Sequence, residues 1–330
     1  MIIRAKINDL LCNSIVPDIE NLNIIQISTN GCSLSEFYNI ADKFFLKIND
    51  TAADWLSLRS NDIGREVLIL SYFQNSKLWA IFDNPYIALA KEGRRYGILM
   101  KNLNGFLFDK AYSSAEMNNS ALKNLAKMHS VFWGNKELEK ASYLLDLKGY
   151  FKILGIWDGF SNTEQPIGKS ILKGWVKVRQ LIPQKTLEYL LNFETNANEF
   201  SDLPRTLIHG DYRPTNLGFN KNTNKLTVID FAFAGFAPCT VDLYWYLATS
   251  SWYGVNIEES ITLYRNYLEH EIGKIEEVIW QRLCTVGVIS VCYMQLWEKA
   301  LDYEYNNDDF EKWLNRLNKA LLMVKQEIIY

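Results

Sequence analysis

The chain has 330 residues, of which 48% are hydrophobic and 22% charged. This composition excludes a disordered chain, and the length suits about two domains or one large bilobal unit. Lys plus Arg (35) nearly balances Asp plus Glu (38), for a net charge of -3, so the global basic surface of a nucleic-acid binder is absent and no nucleic-acid partner is expected.

The N-terminus, MIIRAKINDLL, is broken by Arg4, Lys6 and Asp9 and lacks the apolar core of a secretion signal. Residues 24–48 read as strands. Asn23–Ser28 is a short apolar run, Thr29-Asn30-Gly31 a turn signal, and Phe37–Ile40 and Lys43–Ile48 are further β-type runs. Over 51–70 the period changes, and Ala53, Leu56, Leu58, Ile63, Val67, Leu68 and Leu70 predict one or two helices. Residues 78–103 return to strand character, with a hairpin near Lys91-Glu92-Gly93 and a continuous apolar strand at Tyr96–Met100.

Beyond about residue 113 the chain turns helical. Leu122, Leu125, Ala126, His129, Phe132 and Trp133 share one face of a helix over Ala121–Trp133. Residues 170–198 and 256–328 also read as helices, interrupted by one β-type island, Thr206–Phe236. The uncharged run Leu283–Trp297, between Arg282 and Glu298, is too short to span a bilayer and reads as a buried helix. The expectation is an α+β protein of two unequal lobes with a cleft between them and no membrane partner. The five cysteines (Cys12, Cys32, Cys239, Cys284, Cys292) form no C-x-x-C pair. They suit neither a zinc ribbon nor a redox motif, and fit the reducing cytoplasm.

The β island carries the chemistry. Leu207-Ile208-His209-Gly210-Asp211-Tyr212-Arg213-Pro214-Thr215-Asn216 is an apolar strand end followed by a polar turn, and Leu226–Phe231 is a second apolar run ending at Asp230. Both runs read as parts of one hairpin-like unit, with Asp211, Asn216 and Asp230 gathered around it. Two carboxylates and an amide oxygen suit Mg²⁺, which takes one or two carboxylates together with phosphate oxygens and water. A carboxylate left off the metal can serve as a general base. Singly, Asp211 and Asn216 also read as turn residues and Asp230 as a helix N-cap.

The pattern H-G-D-x-x-x-x-N followed by I-D-F resembles the catalytic core of the aminoglycoside phosphotransferase and choline kinase family, small-molecule relatives of the protein kinases. The similarity runs over Leu207–Leu247, including Val241-Asp242-Leu243-Tyr244-Trp245-Tyr246-Leu247, and Leu125–His129 resembles the helix before the catalytic loop. The resemblance implies a bilobal protein-kinase-like fold with a small β-rich N-lobe and a larger, mostly helical C-lobe. Residues 1–100 would be the nucleotide-binding lobe, 101–104 the hinge, and 105–330 the helical lobe with the catalytic loop and acceptor site. It also implies Asp211 as catalytic base, Asn216 and Asp230 as Mg²⁺ ligands, and Asp242, with His209, as braces of the catalytic loop.

In the first lobe the resemblance calls for a lysine–glutamate pair. Lys47 closes the run Phe44-Phe45-Leu46 and is the expected phosphate ligand, with Lys43 as rival, and Glu66, 19 residues on in a helical segment, is its expected partner. Arg65 is expected at the surface. The segment Thr29–Ser35 would be the nucleotide loop, although it carries the single glycine Gly31; backbone amides and Ser33 would reach the phosphates. Met100–Leu103, with Met100 and Asn102 in particular, would read the purine edge.

Two departures from the protein-kinase pattern bear on the acceptor. Gly210 stands where an arginine would pair with an activation-loop phosphate, and only 11 residues separate Asp230 from Asp242. Both disfavour a protein substrate. The expectation is an ATP- and Mg²⁺-dependent kinase, with GTP left open, acting on a small-molecule hydroxyl such as that of an aminoglycoside, an amino alcohol or a sugar. A catalytically silent kinase-like binding protein is the alternative, and a protein kinase stands behind it. Trp157, Asp158, Trp252 and Tyr253, and the acidic stretch Asp302, Glu304, Asp308, Asp309 and Glu311, are candidates for the acceptor wall or else core and solvated face.

Overall fold

The structure, a computed structural model, describes residues 1–28, 34–108, 115–155, 166–250 and 254–327. In chain order the elements are β1 (Ile2–Arg4), β2 (Ile24–Ile27), β3 (Glu36–Ile40), β4 (Phe44–Asp50), α1 (Trp55–Ser60), α2 (Arg65–Tyr72), α3 (Leu78–Ile81), β5 (Tyr86–Glu92) and β6 (Arg95–Lys101). They continue with α4 (Ala115–Val131), α5 (Lys136–Glu139), α6 (Leu147–Ile153), α7 (Pro166–Leu181), α8 (Gln184–Leu191), α9 (Phe193–Asn198), β7 (Thr206–Ile208), β8 (Leu217–Asn220), β9 (Lys225–Val228) and β10 (Gly235–Ala237). The last four are α10 (Thr240–Thr249), α11 (Ile257–Ile272), α12 (Glu277–Leu301) and α13 (Asn307–Glu327). They divide into two units, Met1–Ser113 with Pro214–Ala234, and Ser114–Arg213 with Gly235–Tyr330.

The first unit is built on a six-stranded sheet in the order β1-β5-β6-β4-β3-β2. Every pair is antiparallel except β1 with β5. Because side chains alternate along a strand, β4 sends Leu46 to one face and Lys47 to the other. The Leu46 face is covered by the N-terminal segment, whose Ile7, Leu10, Ile15 and Val16 pack with Ile40, Ala88, Ala90 and Leu99. That cover, and the strand β1 leading into it, had no periodic signal in the sequence. Residues 78–81, expected as strand, are helical: Leu78 and Phe82 are one turn apart and both are fully buried, so a single turn of helix buries them on one side.

The segment Pro214–Ala234 joins this unit as an antiparallel ribbon, β8 with β9, in which Leu217 faces Val228. It is tied on by backbone bonds from Phe108 to Leu217 (2.8 Å), from Phe219 to Phe106 (3.0 Å) and from Asp83 to Leu226 (2.7 Å). This corrects the hairpin-like unit expected from the sequence. The strand before Asp211 and the strand before Asp230 do not pair: β7 pairs with β10, and β9 pairs with β8.

The second unit is helical. Its central element is α12, which packs against α6, α7, α10 and α13. The run Leu283–Trp297 lies inside α12 and is buried on almost every side apart from Cys284, which agrees with its continuous hydrophobicity. No described helix is long and apolar enough to cross a membrane. Cys12, Cys239, Cys284 and Cys292 are free thiols. The strand β10 is further held by Phe236, whose N–H donates to the Leu145 carbonyl (2.7 Å).

Candidate active site

In the first unit, the face of β4 opposite Leu46 meets α2. The start of α2 is set by Asp62, whose carboxylate accepts from the Gly64 and Arg65 amides and so caps the helix N-terminus. Glu66, in the first turn, is fully buried and points at Lys47. The Lys47 ammonium donates to Glu66 Oε2 at 2.8 Å and to Asp230 Oδ1 at 3.0 Å. Lysine is therefore held between two carboxylates from separate stretches of the chain. The rival Lys43 is exposed.

The charges oppose burial here. Desolvation alone would lower the Lys47 pKa, but the Asp230 and Glu66 charges outweigh it and hold the ammonium well above its ordinary range. Glu66 behaves differently. Burial pushes its carboxyl up to about 7 against the pull of Lys47, and its second oxygen, Oε1, is buried without a hydrogen-bond partner. Lys47 is thus a fixed cation, and Glu66 a carboxyl whose burial works against its charge.

Asp230 follows β9 and opens the 3-10 turn Phe231–Phe233 with left-handed backbone angles (φ 69°, ψ 69°), a region that aspartate tolerates better than most residues. It stands at the N-cap position of that turn, as one reading of the sequence had it, but its side chain makes no cap bond there. Its side chain is 39% exposed. The Ile229 N–H donates to the Asn216 carbonyl (3.1 Å), so Asn216 and Asp230 flank the same end of the β8–β9 ribbon. The buried ring of Phe231 packs edge-on against Phe73 (5.2 Å) and anchors the turn.

Among the described residues no group of three or more His, Cys, Asp or Glu side chains could hold a metal ion alone. An amide and one partly exposed carboxylate beside a fixed ammonium instead suit a cation that completes its shell with phosphate oxygens and water, as Mg²⁺ does. Oxygen donors of this kind are ones that Mg²⁺ accepts.

In the second unit, β7 runs into the turn His209–Arg213. Gly210 has φ +80°, a value that a side chain would strain. The buried Asp242 carboxylate, in the first turn of α10, accepts from the amides of His209 (2.6 Å) and Gly210 (2.7 Å), and His129 Nε2 lies 3.2 Å from it. His209 Nδ1 accepts from the Asp211 amide (3.2 Å). The turn before Asp211 is therefore fixed by two side chains that bond its backbone. The Asp211 carboxylate is nearly buried; its Oδ1 accepts the Trp245 indole N–H at 2.9 Å, and the Arg213 Nε lies 3.2 Å from it as an ion pair.

Three participants were not foreseen. Arg65, expected at the surface, is buried. Its Nη1 donates to the Ala232 carbonyl (2.7 Å) and its Nη2 to Ser60 Oγ (3.0 Å), so it ties α2 to the turn after Asp230. A charge adjacent to Glu66 on a short helix gives no sequence cue to that bond. Trp245 and Arg213 lie within the stretch singled out for its resemblance, but nothing in the sequence pairs them with Asp211. Met100 is a buried strand residue of β6, opposite Phe45 and Tyr86, while Asn102 has left the strand and its N–H donates to the Lys43 carbonyl (2.9 Å). Gly31 and Ser33 of the expected nucleotide loop, and Trp157, Asp158, Trp252 and Tyr253 of the expected acceptor wall, lie outside the described residues. In the acidic stretch, Asp309 pairs with Lys299 (2.5 Å) and Glu304 with Lys177 (3.2 Å).

The sequence pattern described as "Phosphotransferase enzyme family" matches residues 43–278. No curated protein matches the chain. Among solved structures, Plasmodium vivax ethanolamine kinase is similar, with 14% identity and a TM-score of 0.56, over 93% of this chain and 84% of that one. Choline kinase from Cryptosporidium parvum Iowa II has 14% identity and a TM-score of 0.53, over 96% and 94%. The GDP complex of wild-type aminoglycoside 2'-phosphotransferase-IIIa also has 14% identity and a TM-score of 0.53, over 95% and 97%. The fold is protein-kinase-like, of the kind these small-molecule kinases share.

Proposed function

This chain belongs to the phosphotransferase enzyme family, and on that premise we propose that it moves the γ-phosphoryl group of ATP to a hydroxyl of a small molecule with the help of Mg²⁺. The observation that carries the reading is the Lys47 ammonium held between Glu66 and Asp230. Lys47 would pair with nucleotide phosphate oxygens, and Glu66 would keep it in place. Asn216 and Asp230 would hold the metal, which when bound neutralises charge developing on the phosphates. Asp211 would accept the proton of the acceptor hydroxyl as that oxygen attacks, help typically worth about 10²–10⁴-fold. Residues 1–100 would serve the nucleotide, with Gly31 and Ser33 at its phosphates. The segment 101–104, with Met100 and Asn102 beside the purine, would be the hinge, and 105–330 would carry the acceptor.

A small acceptor is favoured over a protein by the chain between Asp230 and Asp242. Its residues are taken up by the 3-10 turn Phe231–Phe233, by β10 and by the start of α10, which leaves no extended segment to seat a peptide. Free thiols at Cys12, Cys239, Cys284 and Cys292 suit a reducing cytoplasm.

The test is nucleotide consumption with ATP or GTP and Mg²⁺ against amino alcohols, sugars, aminoglycosides, macrolides and nucleosides. One acceptor class should raise turnover well above the water background. In that assay Asp230→Ala should abolish Mg²⁺-dependent turnover, and Asp211→Asn should lower kcat at least about 100-fold while keeping nucleotide affinity. Wild-type protein inert towards every class, or Asp211→Asn with full turnover, would refute the assignment.

A further inference from the structure

We infer that Trp245 is a positioning residue for Asp211: its indole N–H, donated to Oδ1, fixes the orientation in which that carboxylate meets the acceptor. The inference rests on the phosphotransferase reading for its consequence, but the bond itself stands on geometry. Trp245 Nε1 lies 2.9 Å from Asp211 Oδ1, and both residues are 6% exposed. Trp245 projects from α10 (Thr240–Thr249), one turn after Asp242, whose carboxylate bonds the His209 and Gly210 amides. The helix that fixes the backbone of the turn therefore also fixes the side chain that the turn presents.

Two groups reach the same oxygen, and they differ in how firmly they can hold it. The Arg213 Nε is 3.2 Å away, but the rest of its long side chain is 42% exposed, so solvent screens much of its charge. The indole has two side-chain torsions, is enclosed by the core, and has a single N–H to satisfy. A buried indole donor commits the carboxylate to one rotamer, and a base must stand within hydrogen-bond reach of the proton it takes. A phenylalanine at this position would fill most of the same space and supply no donor. Arg213 is a charged group beside this carboxylate, and Glu298 of α12 is in turn an exposed carboxylate whose charge Lys299 and Arg213 stabilise.

Trp245→Phe is the first test. In the acceptor-dependent reaction it should lower kcat about 10-fold with the KM for nucleotide within about twofold, because orientation and not nucleotide binding is lost. It should also move the acidic limb of the pH–kcat profile up by about one unit, since a donor to the charged carboxylate has been removed. Arg213→Lys should move both readouts less. A Trp245→Phe enzyme with wild-type kcat and an unmoved acidic limb would overturn the inference.

The second test does not depend on turnover. In ¹⁵N-labelled wild-type protein, the Trp245 indole resonance, assigned by its loss in Trp245→Phe or by site-specific labelling, should shift as Asp211 titrates, and it should stop doing so in Asp211→Asn. An indole resonance indifferent to pH, or one that titrates equally in Asp211→Asn and so follows Glu298, would also overturn it. Absence of phosphoryl transfer from the wild type would reject the proposed function, and the resonance would then decide the indole–carboxylate bond by itself.

Discussion

Replacing Lys47 with methionine should produce a destabilisation that depends on pH in a defined way. In the wild type, Lys47 is a buried cation at 2.8 Å from Glu66, and Glu66 has its carboxyl raised to about 7 from an ordinary 4.5. A carboxyl raised on folding binds its proton more tightly in the native state. Its contribution to stability is complete below the unfolded pKa and is lost as pH rises through the folded one, at about 1.4 kcal/mol per pH unit. Wild-type stability should therefore carry a falling component between about pH 4.5 and 7, which levels off above 7. Without Lys47, the buried carboxyl has lost the charge that held it down, and its pKa rises further. The falling component then continues above pH 7. The two proteins should run in parallel from pH 5.5 to 7 and separate above that by about 1.4 kcal/mol per unit, or about 2 kcal/mol at pH 8.5. Urea midpoints at pH 5.5, 7 and 8.5 measure the effect, and the double variant Lys47→Met/Glu66→Gln, which has no proton to bind at residue 66, should abolish the separation that opens above pH 7. Parallel curves up to pH 8.5, or a separation above pH 7 that survives in the double variant, would refute the reasoning.

Arg65→Met removes the bonds to the Ala232 carbonyl and to Ser60, and should cost about 1–3 kcal/mol while speeding hydrogen exchange at the Ala234 amide, which donates to Phe231 within the turn. Unchanged exchange there would show that Phe231 packing alone holds the segment. Gly174→Ala should lower the melting temperature. The added Cβ would sit 2.3 Å from the Trp297 carbonyl oxygen where α7 meets α12, and backbone displacement at about 1–3 kcal/mol exceeds the helix-propensity gain of about 1 kcal/mol. A raised melting temperature would mean that the two helices separate freely.

The sequence by itself determined the elements whose signal is local. Alternation along Phe44–Asp50 marks β4, the 3.6-residue period marks α4, and the unbroken apolar run within Leu283–Trp297 marks the most buried helix. The turn His209–Arg213 was equally legible, because its polar residues are consecutive and directly follow an apolar strand end. The pairing of Lys47 with Glu66 was read through the family resemblance. Tertiary structure decided the rest. The strands flanking Asp211 and Asp230 each found another partner, because hydrogen-bond ladders between short strands are chosen by what packs over them. Arg65 and Trp245 look like a surface charge and a core aromatic in sequence. Each has a polar group that burial obliges to find a partner, at the Ala232 carbonyl and at Asp211, and only the fold determines which acceptor lies within 3 Å.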